Sequence, residues 1–299
     1  MLIVTTRSHI GSADDFKWLL LNKKCREIEL SRSMQILRQN GIEPIAIKGW
    51  TLGRFYPEND LRGYTDIDIA VDPSIYSVVI ELIKSPELRE LNIDLHSGLR
   101  LLDKLPWSDL FARSTLEELN GVPIRILSDE DSLRITSVHW LTDGGIYPER
   151  LKDICYLVEN RQKDFEWERC LDAAGPLRRQ WVIIAIATAR DFMDLNLDGL
   201  PASIRSFVLP PWYKRTLERE WKLGPYLRIP LWLCIGKPRK LIEQLRRRFP
   251  PNPIAATVDV EGRMDDGNRI TYQTRSMLKK VRPAVLNIYR RFERPGVSN

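Results

Sequence analysis

Residues 66–71 read Asp-Ile-Asp-Ile-Ala-Val, and this run constrains the fold more than any other segment of the chain. Successive side chains of a strand point to opposite faces, so Ile67, Ile69 and Val71 pack on one face while Asp66 and Asp68 share the other. Two carboxylates then stand on a rigid floor, facing the same way. A second strand-like piece, Leu91-Asn92-Ile93-Asp94-Leu95-His96, offers Asp94 by the same alternation, with His96 on its face. Three clustered carboxylates are costly unless a cation neutralises them, and hard divalent ions such as Mg²⁺ take oxygen ligands.

The flanking sequence places this strand in a small sheet. Apolar residues at helical spacing (Leu21, Cys25 and Ile28, then Leu30, Met34 and Leu37) predict a helix over Asp14 to Gln39. Ile42 to Ile47 reads as a short strand, followed at once by Lys48-Gly49 and a helical stretch to Phe55. A polar loop from Pro57 to Gly63 leads into a strand over Thr65 to Val71. Pro73 suits the first turn of a helix reaching about Ile83, and Leu91 to His96 is the next strand. This alternation, with a further strand over Gly121 to Leu127, predicts an α/β or α+β domain with helices packed on a small sheet. From Ser128 onward the pattern is helical. The expected organisation is a catalytic domain over 1–127, a helical domain over 128–235 and a basic helical region over 236–299.

Composition excludes several classes. With 43% hydrophobic and 29% charged residues in 299, the chain is an ordinary globular one with enough length to bury a core. Cys25, Cys155, Cys170 and Cys234 are too scattered for a paired metal-ligand spacing, and no secretory signal opens the sequence. They read as reduced, buried thiols of a cytoplasmic protein. Charge is uneven: residues 236–299 hold 15 Lys and Arg against 6 Asp and Glu. A basic run of this kind is more often a solvated helix face than a nucleic-acid site, and it lacks a recognition motif. The most apolar run there, Tyr226 to Gly236, is far shorter than the ~20 residues of a spanning helix, so no membrane span is expected.

Lys48-Gly49 sits just after the first strand. A glycine there permits close backbone approach, N–H groups at a helix start hold phosphate oxygens, and Lys48 adds a positive charge to the same anion. A phosphate turn opposite a metal-binding strand is what nucleotidyl transfer requires.

The run Ile47-Lys48-Gly49, then Tyr56-Pro57, Arg62, Asp66-Ile67-Asp68-Ile69-Ala70-Val71 and Ile93-Asp94-Leu95-His96 resembles the uncharacterised nucleotidyltransferase family of the polymerase-β-like superfamily. The likeness continues through residues 126–133, His139 and Arg150-Leu151-Lys152-Asp153-Ile154. It implies that Asp66 and Asp68 ligate two Mg²⁺ ions and that Asp94 ligates the catalytic one. It also implies an NTP co-substrate, most readily ATP, whose phosphates meet Lys48, Gly49, Arg62 and His96; from the residues alone, Arg62 reads equally as a surface salt bridge and His96 equally as a structural hydrogen-bond partner of the carboxylates. The acceptor would be a small molecule, peptide or saccharide rather than a nucleic acid. The serine that follows the glycine of this turn in the wider superfamily is missing here, and Lys48 is the candidate to replace its phosphate contact. Asp153 reads as structural, pairing with Arg150 or Lys152. The alternative is a noncatalytic nucleotide-binding or scaffold protein on the same fold.

Overall fold

The computed structural model describes residues 13–292, except 59, 100, 101, 225, 226, 228 and 235. The end of the expected basic region, residues 293–299, lies outside the described residues. Five strands form one mixed sheet in the order β3-β2-β1-β5-β4, where β1 is Ile45–Ala46, β2 Ile67–Val71, β3 Ile93–Ser97, β4 Thr115–Leu119 and β5 Val122–Ile126. β1 runs antiparallel to β2, β2 parallel to β3, β1 parallel to β5 and β5 antiparallel to β4.

Helix α1, Ala13–Gln39, covers the apolar face of this sheet. Leu30, Met34 and Leu37 pack into one cluster with Ile67, Ile69 and Val71 of β2 and Ile124 and Ile126 of β5. The earlier apolar stripe of the same helix does not join them: Leu21 and Ile28 are exposed, and so is Cys25. The expectation of four buried thiols is therefore corrected at Cys25. Cys155, Cys170 and Cys234 are buried and free, and burial pushes the Cys155 thiol up to about 12.

Two boundaries near the site differ from the expected ones. β2 starts at Ile67, not Thr65, because the ladder opens where the Ile67 N–H donates to the Asn92 carbonyl at 2.8 Å. β4 is an added strand, joined to β5 by Asn120-Gly121, both at positive φ (52° and 75°). Asn-Gly between two strands is the strongest short hairpin signal a sequence carries.

The remaining helices are α2 Gly49–Gly53, α3 Tyr76–Ile83, α4 Trp107–Arg113, α5 Asp129–Thr142, α6 Leu151–Glu159, α7 Trp167–Asp172, α8 Gly175–Met193, α9 Ala202–Arg205, α10 Pro211–Leu223, α11 Pro238–Arg248, α12 Pro253–Asp259 and α13 Arg269–Phe292. The chain divides into two compact units. One holds residues up to His139 together with Glu149–Phe207; the other holds Trp140–Pro148 and the chain from Val208 onward. Helices α6 to α8 group with the sheet because α6 packs on both α2 and α8. In the second unit, Asn252 caps α12 through its side-chain oxygen, which accepts from the Ile254 and Ala255 N–H groups. Among the described residues no helix is long and apolar enough to cross a membrane.

Candidate active site

The parallel pairing of β2 with β3 sets Asp68 directly beside Asp94 and Ala70 beside His96. Ile67 and Ile69, with Ile93 and Leu95, take the core face, so the carboxylates and the imidazole share the opposite one. Ala70 carries no side chain beyond Cβ to crowd the ring next to it. His96 Nε2 lies 3.2 Å from Asp68 Oδ1 and 3.3 Å from Asp94 Oδ2. Asp68, Asp94 and His96 thus each offer a ligand atom, all within 4.8 Å of one another. The environments of the two carboxylates differ: the Asp68 side chain is 8% exposed, whereas that of Asp94 is 54% exposed and open to solvent.

Lys48 closes the buried side of the group. Its Nζ donates to Asp68 Oδ1 at 2.8 Å. Burial pushes the Asp68 carboxyl up, but the His96 hydrogen bond and the Lys48 ammonium outweigh it and hold the group below its ordinary value. Glu43, between Arg38 and Arg125, is lowered as well, chiefly by its hydrogen bond from Arg38. A carboxyl whose folded value lies below its unfolded one stabilises the fold above the unfolded value, near ~4, and stops doing so as acid protonates it. The thermal midpoint is therefore expected to drop as pH is lowered from about 5 toward 3, and Asp68→Asn to flatten part of that drop. An unchanged slope in the variant would contradict this assignment.

The backbone at Lys48 is unusual. Lys48 has φ 52° and ψ −147°, a conformation that L residues rarely adopt, and Gly49 follows at φ 42°. A Cβ on Gly49 would meet the Tyr64 ring at ordinary contact distance, 3.4 Å, so it is the left-handed dihedral rather than lack of space that favours glycine here. Strain of this kind costs of order 1–3 kcal/mol and persists only when the surroundings over-determine it. Here the Lys48 carbonyl accepts from Thr51 N–H at 2.8 Å and from Thr51 Oγ1 at 2.7 Å, while the Ile47 N–H donates to the Asp68 carbonyl at 3.0 Å.

Asp66 precedes β2 and is half-buried; its carboxylate is not part of the group formed by Asp68, Asp94 and His96. It does line the small cavity under the Lys48–Gly49 turn, together with Tyr64 and Asp68. Arg62 faces Asp153 of α6. Its Nε and Nη2 donate to the two carboxylate oxygens at 2.6 and 2.9 Å, and its Nη1 reaches the Gly49 carbonyl at 3.3 Å. Asp153 also accepts from Tyr56 Oη at 2.7 Å, so its partners are Arg62 and Tyr56 rather than Arg150 or Lys152. Burial opposes the Arg62 charge, and Asp153 more than offsets it, raising the guanidinium above its ordinary value. Lys152 instead pairs with Asp60 at 2.7 Å, as does the Tyr156 hydroxyl. Asp153 and Tyr56 are the residues that local reasoning missed at this site; an ion pair between the loop before β2 and α6 has no signature in the spacing of either.

The five-stranded mixed sheet thus carries, on two parallel strands, a group of residues that could hold a metal ion, with the lysine-glycine turn against it. The profile of the family described as "Uncharacterised nucleotidyltransferase" matches residues 18–193, more than half of the chain, and the chain belongs to that family. No curated protein matches it. Among solved structures, an antigenic nucleotidyltransferase-like protein from Paracoccidioides brasiliensis overlaps 61% of this chain and 93% of its own, at 16% identity and a TM-score of 0.44. That degree of overlap decides nothing about the site.

Proposed function

We propose that the protein is a metal-dependent nucleotidyltransferase that moves a nucleoside monophosphate from an NTP, with ATP the first candidate, to a hydroxyl or phosphate of a small molecule, peptide or saccharide. The observation that carries this reading is the convergence of Asp68, Asp94 and His96 beside the Lys48–Gly49 turn in a chain of this family. The donor set fits a divalent ion: two hard carboxylates suit Mg²⁺, and the imidazole tolerates Mn²⁺ well. When bound, such an ion neutralises phosphate charge and lowers the cost of forming the attacking alkoxide.

The chain's own groups divide the remaining work. Asp68 and Asp94 would hold the cation, while Asp66, outside that group, lines the cavity under the turn and would offer its carboxylate to a second ion were one bound. Lys48 neutralises Asp68 in the absence of a cation; when one arrives, its ammonium is free to meet a phosphate oxygen. Gly49 lets the backbone approach that phosphate. His96, whose Nε2 lies 3.2 Å from Asp68 and 3.3 Å from Asp94, would join them as the third ligand of that cation.

The test is incubation with each α-labelled NTP, Mg²⁺ or Mn²⁺ and candidate acceptors, following pyrophosphate release. The expected result is metal-dependent release with transfer of label. Absence of release under all combinations would favour a second reading, a noncatalytic nucleotide-binding protein. The position of Asp66 outside the convergent group is the observation on that side. Calorimetry separates the two, since a noncatalytic protein would bind NTP with or without the metal and turn none over.

A further inference from the structure

We propose that Asp153 and Arg62 are positioning residues that hold the Lys48–Gly49 turn in its phosphate-accepting conformation, a role that rests on the reading of that turn as the phosphate site. The turn is strained at Lys48, so something outside it has to keep it there. Arg62 is placed to do so. Two of its donors are committed to Asp153 and a third reaches the Gly49 carbonyl, at the centre of the turn. The planar guanidinium makes these contacts at once because its donors form a rigid fork.

Asp153 in turn fixes the fork. Its side chain is 6% exposed and that of Arg62 15%, so solvent screens the pair little. The Tyr56 hydroxyl occupies one further acceptor position on the same carboxylate. A helix that carries no residue of the acidic group is thereby coupled to the turn beside it. The neighbouring Lys152–Asp60 pair ties the same helix to the same loop but does not reach Gly49, which makes it an internal control.

Hydrogen exchange of the ligand-free protein tests the coupling directly. In Arg62→Lys, which keeps the charge but cannot span both partners, and in Asp153→Asn, amides of residues 48–52 are expected to exchange about tenfold faster than in the wild type. Lys152→Met is expected to leave them unchanged. Affinity for Mg²⁺-loaded α,β-methylene-ATP should fall about tenfold in the first two variants, the loss of one charge-assisted hydrogen bond. Mn²⁺ affinity should stay at the wild-type level. Should Asp153→Asn fail to fold, Arg62→Lys alone decides through exchange. Unaltered exchange at the turn in folded Arg62→Lys would overturn the proposal. So would tighter nucleotide binding in Asp153→Asn, the sign of an Arg62 freed to grip phosphate itself. If the wild type binds no nucleotide while exchange responds as expected, the nucleotidyltransfer reading fails and the brace survives as a structural coupling.

Discussion

Asp68→Asn is expected to lower metal-dependent pyrophosphate release at least a thousandfold with little change in the fold. Asparagine keeps the shape and one acceptor oxygen for Lys48 and His96, so the packing around position 68 is retained. What it removes is the negative charge that, with Asp94, would hold a divalent ion. Metal stabilisation of a developing charge amounts to several kcal/mol, and each ~1.4 kcal/mol is tenfold in rate, so a loss of about 4 kcal/mol gives three orders of magnitude. Asp94→Asn is expected to behave alike, because the register sets it next to Asp68 on the open side. Pyrophosphate release within tenfold of the wild type in either variant would remove both residues from the reaction.

The largest effect on stability is expected outside the acidic group, at Arg134 of α5. Its side chain is fully buried, and Asp103 and Asp131, both fully buried too, are its partners. Nε donates to Asp103 at 2.6 Å, Nη2 to Asp131, and Nη1 to the Arg169 and Cys170 carbonyls. Arg134→Met fills most of the volume but strips Asp103 of its counter-charge, leaving it, among the described residues, the Leu105 N–H at 3.1 Å. Asp131 keeps Arg113, which is partly exposed. Breaking a buried pair by removing one partner costs about 3–5 kcal/mol because the other charge stays behind in a low-dielectric interior. Against a typical total of about 5–15 kcal/mol, that is a large fraction. Calorimetry should show a drop of roughly 10 °C in Tm, using about 2–4 °C per kcal/mol for a unit of this size. A drop under 2 °C would contradict the assignment of Arg134 as the buried counter-charge of Asp103.

Much of the candidate site was legible in the sequence, for a local reason. Period-two alternation puts Ile67 and Ile69 in the core and Asp68 on the opposite face, and the same rule places Asp94 and His96. The short interval between Asp68 and Asp94, with room for one helix, suffices because α3 returns the chain directly to a parallel neighbour of β2. The turn between β4 and β5 is written in Asn120-Gly121, but Thr115 to Leu119 lacks the strong alternation that would mark β4 as a strand.

Other features lay beyond local reading. Alternation alone gives Asp66 and Asp68 equal standing, yet the ladder opens at Ile67 and only Asp68 joins the convergent group. The pairing of Arg62 with Asp153 depends on how α6 packs on α2, which no spacing within either segment encodes. The grouping of α6 to α8 with the sheet has the same origin: apolar helical faces announce that they will be buried, not against what.

The central claim is that Asp68, Asp94 and His96 together bind a divalent cation. Anomalous diffraction from crystals of the full chain soaked in Mn²⁺ with α,β-methylene-ATP tests it most directly. The account predicts a Mn²⁺ peak in contact with the Asp68 and Asp94 carboxylates, with the triphosphate against Lys48. Nucleotide bound at the turn with no Mn²⁺ on either carboxylate, or Mn²⁺ held elsewhere, would contradict it.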